Sequence, residues 1–199
     1  MKKVLISLIV SVGLMSAAQA GDAVAGKTKA ATCGACHGAD GNSLAPNFPK
    51  IAGQGERYLV KQITEIKNGD RQVPEMLGFV MGLSETDIAD IAAYYSEQKM
   101  SGGTADPALV EAGKRIFLGG NEATGVPACI ACHGPAGKGM SAAGFPSVAG
   151  QHAAYTEKQL TDFYNAKRTN DASNVMRDIA SRMHMDEIKA VSSYIQGLK

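Results

Sequence analysis

The stretch Cys33-Gly34-Ala35-Cys36-His37-Gly38 recurs as Cys129-Ile130-Ala131-Cys132-His133-Gly134, 96 positions further along the chain. Both copies place two cysteines three residues apart, with a histidine directly after the second cysteine. These are the only four cysteines among the 199 residues. A motif that recurs with its surroundings marks a duplicated structural unit, so the extent of the repeat has to be established before any element is assigned.

The similarity between the two halves extends well beyond this motif. The offset is 97 through the middle of each half and 100 towards its end, which requires one inserted residue after His133 and three before Met176. The matched residues are Phe48-Pro49 with Phe145-Pro146, Ala52-Gly53-Gln54 with Ala149-Gly150-Gln151, Tyr58 with Tyr155, Lys61-Gln62 with Lys158-Gln159, Met76 with Met176, Ile88 with Ile188 and Tyr94 with Tyr194. The sequence therefore predicts two copies of a unit of about 90 residues.

A short segment of turn-forming residues separates the copies. Residues 99–106 contain Ser, Gly, Thr and Asp without apolar periodicity, which is typical of a linker. We expect one domain over residues 21–98 and a second over 107–199. Helical spacing or composition predicts helices over 22–36, 56–68, 107–118 and 154–166, and Ser84 is a candidate N-cap for a further helix. The predicted fold class is all-α.

The first twenty residues have the pattern of a targeting segment. Lys2 and Lys3 precede an apolar run from Val4 to Leu14, and Ala18-Gln19-Ala20 has the A-x-A form that signal peptidases cleave. The apolar run is shorter than the ~20 residues that a membrane-spanning helix needs. The sequence predicts a cleaved signal peptide over residues 1–20 and export to a bacterial periplasm.

Composition excludes one class of partner and points to a missing group. The 20 Lys and Arg residues nearly balance the 19 Asp and Glu residues, so the chain has no basic excess for phosphate backbones, and we expect no nucleic-acid partner. Aromatic residues make up only 6% and there is no Trp. A core of Ala, Leu, Ile, Val and Met in so small a domain would benefit from a bulky apolar group.

C-x-x-C-H is the attachment signature of c-type haem. Two thiols on one helical turn can each form a thioether with a haem vinyl group, and the adjacent histidine can ligate the iron. A thioredoxin-like motif would need a βαβ pattern, which the sequence lacks. A shared zinc site would have to bridge the 92 residues between Cys36 and Cys129. Disulfides within the motifs would leave no cysteine to crosslink other parts of the chain. The sequence predicts two haem c groups attached through Cys33, Cys36, Cys129 and Cys132.

Each predicted iron needs a ligand opposite its histidine, and methionine is a strong candidate because thioether ligation raises the potential. The available methionines are Met76 and Met81 in the first half, and Met176, Met183 and Met185 in the second. Only Met76 and Met176 occupy matched positions, so we predict these two as ligands and Met183 as a core residue. The alternative is that Met76 and Met176 also fill gaps in the core.

The two remaining histidines have no matched counterpart. We expect neither His152 nor His184 to bind iron, and we expect His184 at the start of a helix. Pro46 lies where a nearby carbonyl could accept the second N–H of His37, whereas Ala143 stands at the matched position. This difference, together with the insertion before Met176, predicts unequal reduction potentials for the two haems.

Three arginines could pair with haem propionates. These are Arg57, Arg71 and Arg168. A single arginine is usually found at the protein surface, so a surface position is the default expectation for each of them.

The sequence resembles the cytochrome c4 family over essentially all of residues 21–199. The stretches that carry the resemblance are 33–38, Ala45-Pro46-Asn47-Phe48-Pro49, Ala52-Gly53-Gln54-Gly55-Glu56-Arg57-Tyr58-Leu59, Gly150-Gln151-His152-Ala153-Ala154-Tyr155 and Ser192-Ser193-Tyr194-Ile195-Gln196-Gly197. The resemblance implies two class I cytochrome c domains related by approximate twofold symmetry. It also implies axial ligation of one iron by His37 and Met76, and of the other by His133 and Met176.

The resemblance implies a function as well. It points to a periplasmic carrier that takes electrons from a bc1-type donor to a haem-copper terminal oxidase, with no small-molecule substrate and no enzymatic activity. Some members of the family associate with the membrane, so peripheral association is left open. Two enzymatic alternatives remain: a dihaem peroxidase, which needs an open face on one iron, and the haem subunit of a flavin-linked sulfide dehydrogenase.

Overall fold

The computed structural model describes residues 21–199, and the predicted signal peptide lies outside this part of the chain. The first half contains α1 (Ala23–Lys29), α2 (Gly34–His37), α3 (Glu56–Asn68), α4 (Pro74–Val80) and α5 (Glu85–Ser96). The second half contains α6 (Val110–Gly119), α7 (Ile130–His133), α8 (Ala153–Tyr164), α9 (Val175–Ala180) and α10 (Met185–Gly197). Within residues 21–199 no strand forms, and β pairing is limited to two isolated bridges. The prediction of an all-α fold is confirmed.

The two halves repeat the same order of five helices, and in each half the first helix crosses the last at a glycine. A Cβ atom on Gly26 of α1 would lie 1.9 Å from the carbonyl oxygen of Asp90 in α5. A Cβ atom on Gly113 of α6 would lie 2.2 Å from the carbonyl oxygen of Ala190 in α10. Because such distances are well inside van der Waals contact, both crossings require a residue without a side chain.

Helix boundaries follow the sequence prediction where local signals are strong. The helix predicted over 56–68 is α3, and it ends at Gly69 in the left-handed conformation. Ser84 caps α5 in a capping box with Asp87, as its sequence suggested. The helix predicted over 22–36 is interrupted by a 3₁₀ turn at Ala30–Thr32.

The helix predicted over 107–118 starts later than expected. The side chain of Asp106 accepts the N–H of Ala108 at 2.9 Å, and this turn holds Pro107 outside α6. Sequence reasoning missed the short helices α4 and α9, which carry Met76 and Met176, although Pro74 at the first position of α4 is a signal for a helix start.

Each half has its own apolar core. The central cluster of the first core consists of Ala30, Leu59, Ile91, Ala92 and Tyr95, and that of the second consists of Ile116, Phe117, Val126, Met183, Ile188, Val191 and Ile195. Ile66, Val80 and Ile88 of the first half and Phe163 of the second are also buried. Met183 is a core residue, as predicted. The first half buries fewer large apolar side chains than the second, so its core is the smaller and depends more on any bulky group added to it. Among the described residues, no helix is both long and apolar enough to cross a membrane.

Candidate haem sites and the contact between them

Each C-x-x-C-H motif forms a single helical turn. In the first half the N–H of His37 donates to the carbonyl of Cys33 at 3.0 Å, and in the second the N–H of His133 donates to that of Cys129 at 2.9 Å. No disulfide links the four cysteines, and their side chains are partly exposed. The local backbone therefore presents two thiols and one imidazole within one turn, twice.

A backbone carbonyl orients each of these histidines. The Nδ1 atom of His37 lies 2.9 Å from the carbonyl oxygen of Pro49, and that of His133 lies 2.9 Å from the carbonyl oxygen of Pro146. Since a carbonyl can only accept, Nδ1 carries the proton and Nε2 keeps its lone pair. The expectation that a carbonyl near Pro46 accepts this N–H is confirmed, with Pro49 as the acceptor. The expected difference between the halves at Pro46 and Ala143 is wrong, because Pro49 and Pro146 are a matched pair.

Burial sets the protonation state of these groups. It lowers the pKa of His37 and of His133 against the opposing effect of the carbonyl bond, so both imidazoles are neutral near pH 7. Burial also raises the pKa of the Cys33 thiol and raises that of Cys129 to about 11.

The donor set fits haem c. Two thiols and a neutral imidazole with a free Nε2 lone pair are the groups that attach and ligate this cofactor. Over residues 21–199 no cluster of three or more His, Cys, Asp and Glu side chains could hold a bare metal ion. The apolar side chains of Leu77, Phe79 and Val175, close in sequence to Met76 or Met176, are exposed, which suits an apolar cofactor packed beside them.

The predicted methionine ligands lie in equivalent elements. Met76 is at the start of α4 and Met176 at the start of α9, and both side chains are half-buried. The unmatched Met81 and Met185 are exposed, at 58% and 48%. Ligation of iron by Met76 and Met176 stays a prediction.

The insertion before Met176 forms an ordered loop. It folds as a 3₁₀ turn, Ala172–Asn174, in which Ser173 and Asn174 take the left-handed conformation. Arg177 supports the turn, because its backbone N–H and its Nε donate to the Asp171 carboxylate at 3.0 and 2.7 Å. The second half thus has an ion-paired loop before its methionine, and the first half has no equivalent insertion before Met76.

The unmatched histidines have other partners. His152 lies with Nε2 2.8 Å from the carbonyl oxygen of Ser43 in the opposite half. His184 is the N-cap of α10, as predicted, and its N–H donates to the Glu187 carboxylate at 2.8 Å. Both therefore have structural contacts.

Two glutamines bind the backbone of the opposite half. Gln151 accepts the N–H of Lys50 at 2.9 Å and donates to the Lys50 carbonyl at 2.8 Å. Gln54 accepts the N–H of Ser147 at 2.8 Å and donates to the Ser147 carbonyl at 2.9 Å. The repeat of Ala-Gly-Gln in the sequence does not reveal this role, because a repeated polar residue does not identify its partner.

Arg71 also joins the two halves. Its Nη1 donates to Gln62 of its own half at 2.8 Å, and its Nη2 donates to the Tyr155 hydroxyl and to Gln159 of the other half, both at 3.0 Å. The expected surface position is wrong for Arg71, which is half-buried between the halves. The hydrogen-bond energy of a guanidinium exceeds that of a neutral donor, which favours this position.

Arg168 of the second half makes the equivalent contacts with the first half. The expected surface position is wrong for Arg168 as well. Its Nη1 donates to Gln159 of its own half at 2.7 Å, and its Nη2 donates to the Tyr58 hydroxyl at 3.1 Å and to Gln62 at 3.0 Å. Burial alone would raise the pKa of Tyr58, but the nearby guanidinium groups of Arg168 and Arg71 lower it below its usual value. The contact therefore has approximate twofold symmetry in its chemistry.

One position breaks that symmetry. Asn170 donates to Gln62 at 2.9 Å and to the Glu65 carboxylate at 2.7 Å, and its carbonyl accepts from Lys61 at 2.7 Å. Val73 stands at the matched position and has no side-chain polar group. A cavity of about 200 Å³ lies there instead, lined by residues of both halves.

Comparison with known proteins agrees with this architecture. The sequence model of the family "Cytochrome c" matches residues 23–98 and again 110–199. The chain is 58% identical to cytochrome c4 of Pseudomonas aeruginosa over 200 residues, with both chains fully covered. It is 37% identical to a thiosulfate dehydrogenase electron acceptor from Thiomonas intermedia, over 84% of this chain and 78% of that protein.

A solved structure extends the agreement to three dimensions. The crystal structure of reduced recombinant cytochrome c4 from Pseudomonas stutzeri matches with a TM-score of 0.89 and 56% identity, covering 90% of this chain and all of that one. The expected pair of class I cytochrome c domains with approximate twofold symmetry is therefore confirmed. The chain therefore belongs to the cytochrome c4 family, carries two covalently bound haem c groups and transfers electrons.

Proposed function

We propose that this protein carries electrons in the periplasm from a bc1-type donor to a haem-copper terminal oxidase of a respiratory chain. The observation that carries the proposal is the matched pair of sites, in which His37 and His133 have the same orientation and the same kind of acceptor. The 58% identity to a cytochrome c4 over the full chain supports it. The A-x-A pattern before Gly21 supports the periplasmic location.

The ligand set is part of the proposal. Cys33, Cys36, Cys129 and Cys132 would form the thioethers, and the iron ligands would be His37 with Met76 in the first half and His133 with Met176 in the second. Bound haem supplies reversible one-electron exchange between ferric and ferrous iron. The carbonyls of Pro49 and Pro146 hold each imidazole in one ring orientation, so little rearrangement accompanies a change of oxidation state.

We also propose the domain boundaries 21–98 and 107–199, with residues 99–106 as a linker that holds the domains at a fixed separation. Three contacts support a pinned linker. The N–H of Ser101 donates to Asn42 at 2.7 Å, the Lys50 ammonium donates to the Ser101 carbonyl at 2.6 Å, and the N–H of Gly103 donates to the Gln196 carbonyl at 3.0 Å. A fixed separation suits repeated electron transfer between two centres.

A reconstituted chain tests the function. A purified bc1-type complex and a haem-copper oxidase are mixed with quinol, and oxygen consumption is measured with and without the dihaem protein. We expect consumption to depend on the protein, to fall in Met76→Leu and to persist in Met81→Leu, because Met81 is exposed and unmatched. Failure of the wild-type protein to couple the two complexes would reject this role.

The similarity to a thiosulfate dehydrogenase electron acceptor favours a second candidate partner. In that case a thiosulfate dehydrogenase, supplied with thiosulfate, reduces the dihaem protein faster than the bc1-type complex does. Stopped-flow reduction by the two donors at equal concentration separates the candidates. Peroxide turnover or carbon monoxide binding by the wild-type protein would instead indicate an open iron face and a peroxidase, and a co-purifying flavoprotein would indicate a sulfide dehydrogenase subunit.

A further inference from the structure

The peptide group that joins Pro49 to Lys50 is bonded to both halves of the molecule. Its carbonyl accepts from Nδ1 of His37 at 2.9 Å, and its N–H donates to the side chain of Gln151 at 2.9 Å. The amide of Gln151 also donates to the Lys50 carbonyl at 2.8 Å. A glutamine of the second half thus holds the peptide group that orients the histidine of the first half.

The same arrangement occurs in the opposite direction. The peptide group that joins Pro146 to Ser147 accepts from Nδ1 of His133 at 2.9 Å and donates to Gln54 at 2.8 Å. The amide of Gln54 donates to the Ser147 carbonyl at 2.9 Å. The two networks match atom for atom, so their agreement is a property of the duplicated unit.

The bonds between Lys50 and Gln151 are buried, and the equivalent bonds between Ser147 and Gln54 are partly buried. Gln54 and Gln151 are 5% and 6% exposed, and Lys50 is 6% exposed. Hydrogen bonds in such surroundings polarise one another, and a peptide whose N–H donates has a more negative carbonyl oxygen, an effect of roughly 10–30% per bond. The glutamine of one half therefore strengthens the acceptor that binds the histidine Nδ1–H of the other half.

We propose that Gln151 and Gln54 are positioning residues that tune the reduction potential of the haem in the opposite half. The proposal rests on the proposed ligation of iron by His37 and His133. A stronger bond at Nδ1 makes the imidazole a more basic ligand, which stabilises ferric iron. Loss of a glutamine therefore raises the potential of the haem across the contact and leaves the haem of its own half unchanged.

The test begins with Gln151→Met, which keeps side-chain length and removes both polar groups. We expect the ferric-to-ferrous ratio of the first haem, at a fixed potential, to fall by about threefold, or about 28 mV for a one-electron couple. The second haem should not move. Gln54→Met should produce the mirror result. Spectroelectrochemical titration gives the two potentials, and resolved haem-methyl NMR lines of the ferric protein assign them to the halves.

A direct readout of the histidine bond separates tuning from general damage. In ferrous protein labelled with ¹⁵N-histidine, the Nδ1 proton of His37 should move upfield in Gln151→Met while that of His133 stays. Tyr155→Phe is the matched control, because it removes a bond of Arg71 across the same contact without touching either peptide group. Both Nδ1 protons should stay in the control; movement there as well would mean that any loosening of the contact has this effect, and the proposal would be wrong.

The remaining outcomes are also decisive. A shift confined to the haem of the mutated half, equal shifts in both haems, or no shift at all would each overturn the proposal. If Gln151→Met does not accumulate with two haems, Gln151→Asn replaces it, because the shorter amide cannot span both groups of Lys50, and the same crossed shift is expected. Wild-type protein without ring-current-shifted signals from His37 and His133 would reject the ligation itself; those signals without the crossed pattern would reject only the tuning.

Discussion

In the first half, Lys29 of α1 pairs with Asp87 and Asp90 of α5 at 2.6 and 2.7 Å, whereas the second half has Ala190 at the position of Asp90. The second half instead has an ion pair between Arg177 and Asp171, at 2.7 Å, in the loop beside Met176. One half uses charge to join its terminal helices, and the other uses charge to hold its methionine loop. The ion pairs within each half have therefore diverged between the copies.

The surfaces by which the halves touch have diverged much less. The glutamine exchange and the paired arginines repeat with the same atoms and closely similar distances. The difference between Pro46 and Ala143 does not affect the histidine contact. A buried Lys50 stands where the second half has Ser147, so unequal potentials remain our prediction. The hydrogen bonds between the halves are therefore the same in both directions, whereas the ion pairs within each half differ.

The largest expected effect tests the dependence of each core on its haem. Cys33→Ala with Cys36→Ala, and Cys129→Ala with Cys132→Ala, should each reduce the haem content from two to one per chain, measured as pyridine haemochrome. We expect the first pair to lose more helicity by circular dichroism, because the first core is the smaller. Equal losses of helicity would contradict the difference in core size.

Replacing the methionine ligands should have the next largest effect. Met76→Ala and Met176→Ala should each lower the potential of their own haem, on the order of 0.1–0.2 V, because thioether ligation favours ferrous iron. Each variant should lose about half of the weak far-red ferric band that methionine ligation gives, and should bind carbon monoxide at one haem. Met183→Leu is the control, because Met183 lies in the core.

The paired arginines provide a finer comparison. Arg71→Met and Arg168→Met each remove two bonds across the contact, worth about 1.5–3 kcal/mol per bond to a charged group before compensation. Arg168 also lies 4.6 Å from the ring centroid of Phe163. We expect Arg168→Met to lower the free energy of unfolding by about 0.5–1 kcal/mol more than Arg71→Met, measured by denaturant titration. A larger loss of unfolding free energy in Arg71→Met than in Arg168→Met would contradict this stabilising role of the contact between Arg168 and Phe163.

The smallest effect concerns pH. Hydrogen bonds from Lys29 lower the pKa of Asp87 and of Asp90, so these carboxylates stabilise the fold above about pH 4 and lose that contribution as pH falls through their lowered pKa values. Lys29→Met should lower the thermal midpoint at neutral pH, and the difference from wild type should narrow below about pH 4.

Arg177→Met is the matched variant in the second half. Burial alone would raise the pKa of Asp171, but the bonds from Arg177 lower it. The acid dependence should therefore have the same sign. A difference from wild type that grows in acid, for either variant, would contradict the assignment of these ion pairs.

The sequence predicts the features that rest on short-range signals. Apolar spacing and a following glycine define α3, the capping box defines the start of α5, and the C-x-x-C-H turns identify the cofactor. The acceptor of His37 could not be placed, because the turns between Gly38 and Pro49 decide which carbonyl faces the ring.

The contacts between the halves were also beyond sequence reasoning. Gln54 and Ser147 are 93 residues apart, and Lys50 and Gln151 are 101 apart. No local pattern encodes such a pairing, although the repeat shows which residues are present twice. The contact also contains one position at which the two halves differ. Asn170 makes hydrogen bonds across the contact on one side, whereas Val73, at the matched position, lines a cavity on the other side.

The exchanged glutamines have a consequence for the ancestry of the chain. An isolated half would leave one glutamine without its backbone partner and one peptide group without its glutamine, but two identical halves would satisfy both, since the contact is isologous in form. A single-unit ancestor could therefore make the same contact as a homodimer. Fusion through residues 99–106 would then replace dependence on protein concentration with a tether, and would free each copy to accept substitutions that a symmetric dimer must carry twice.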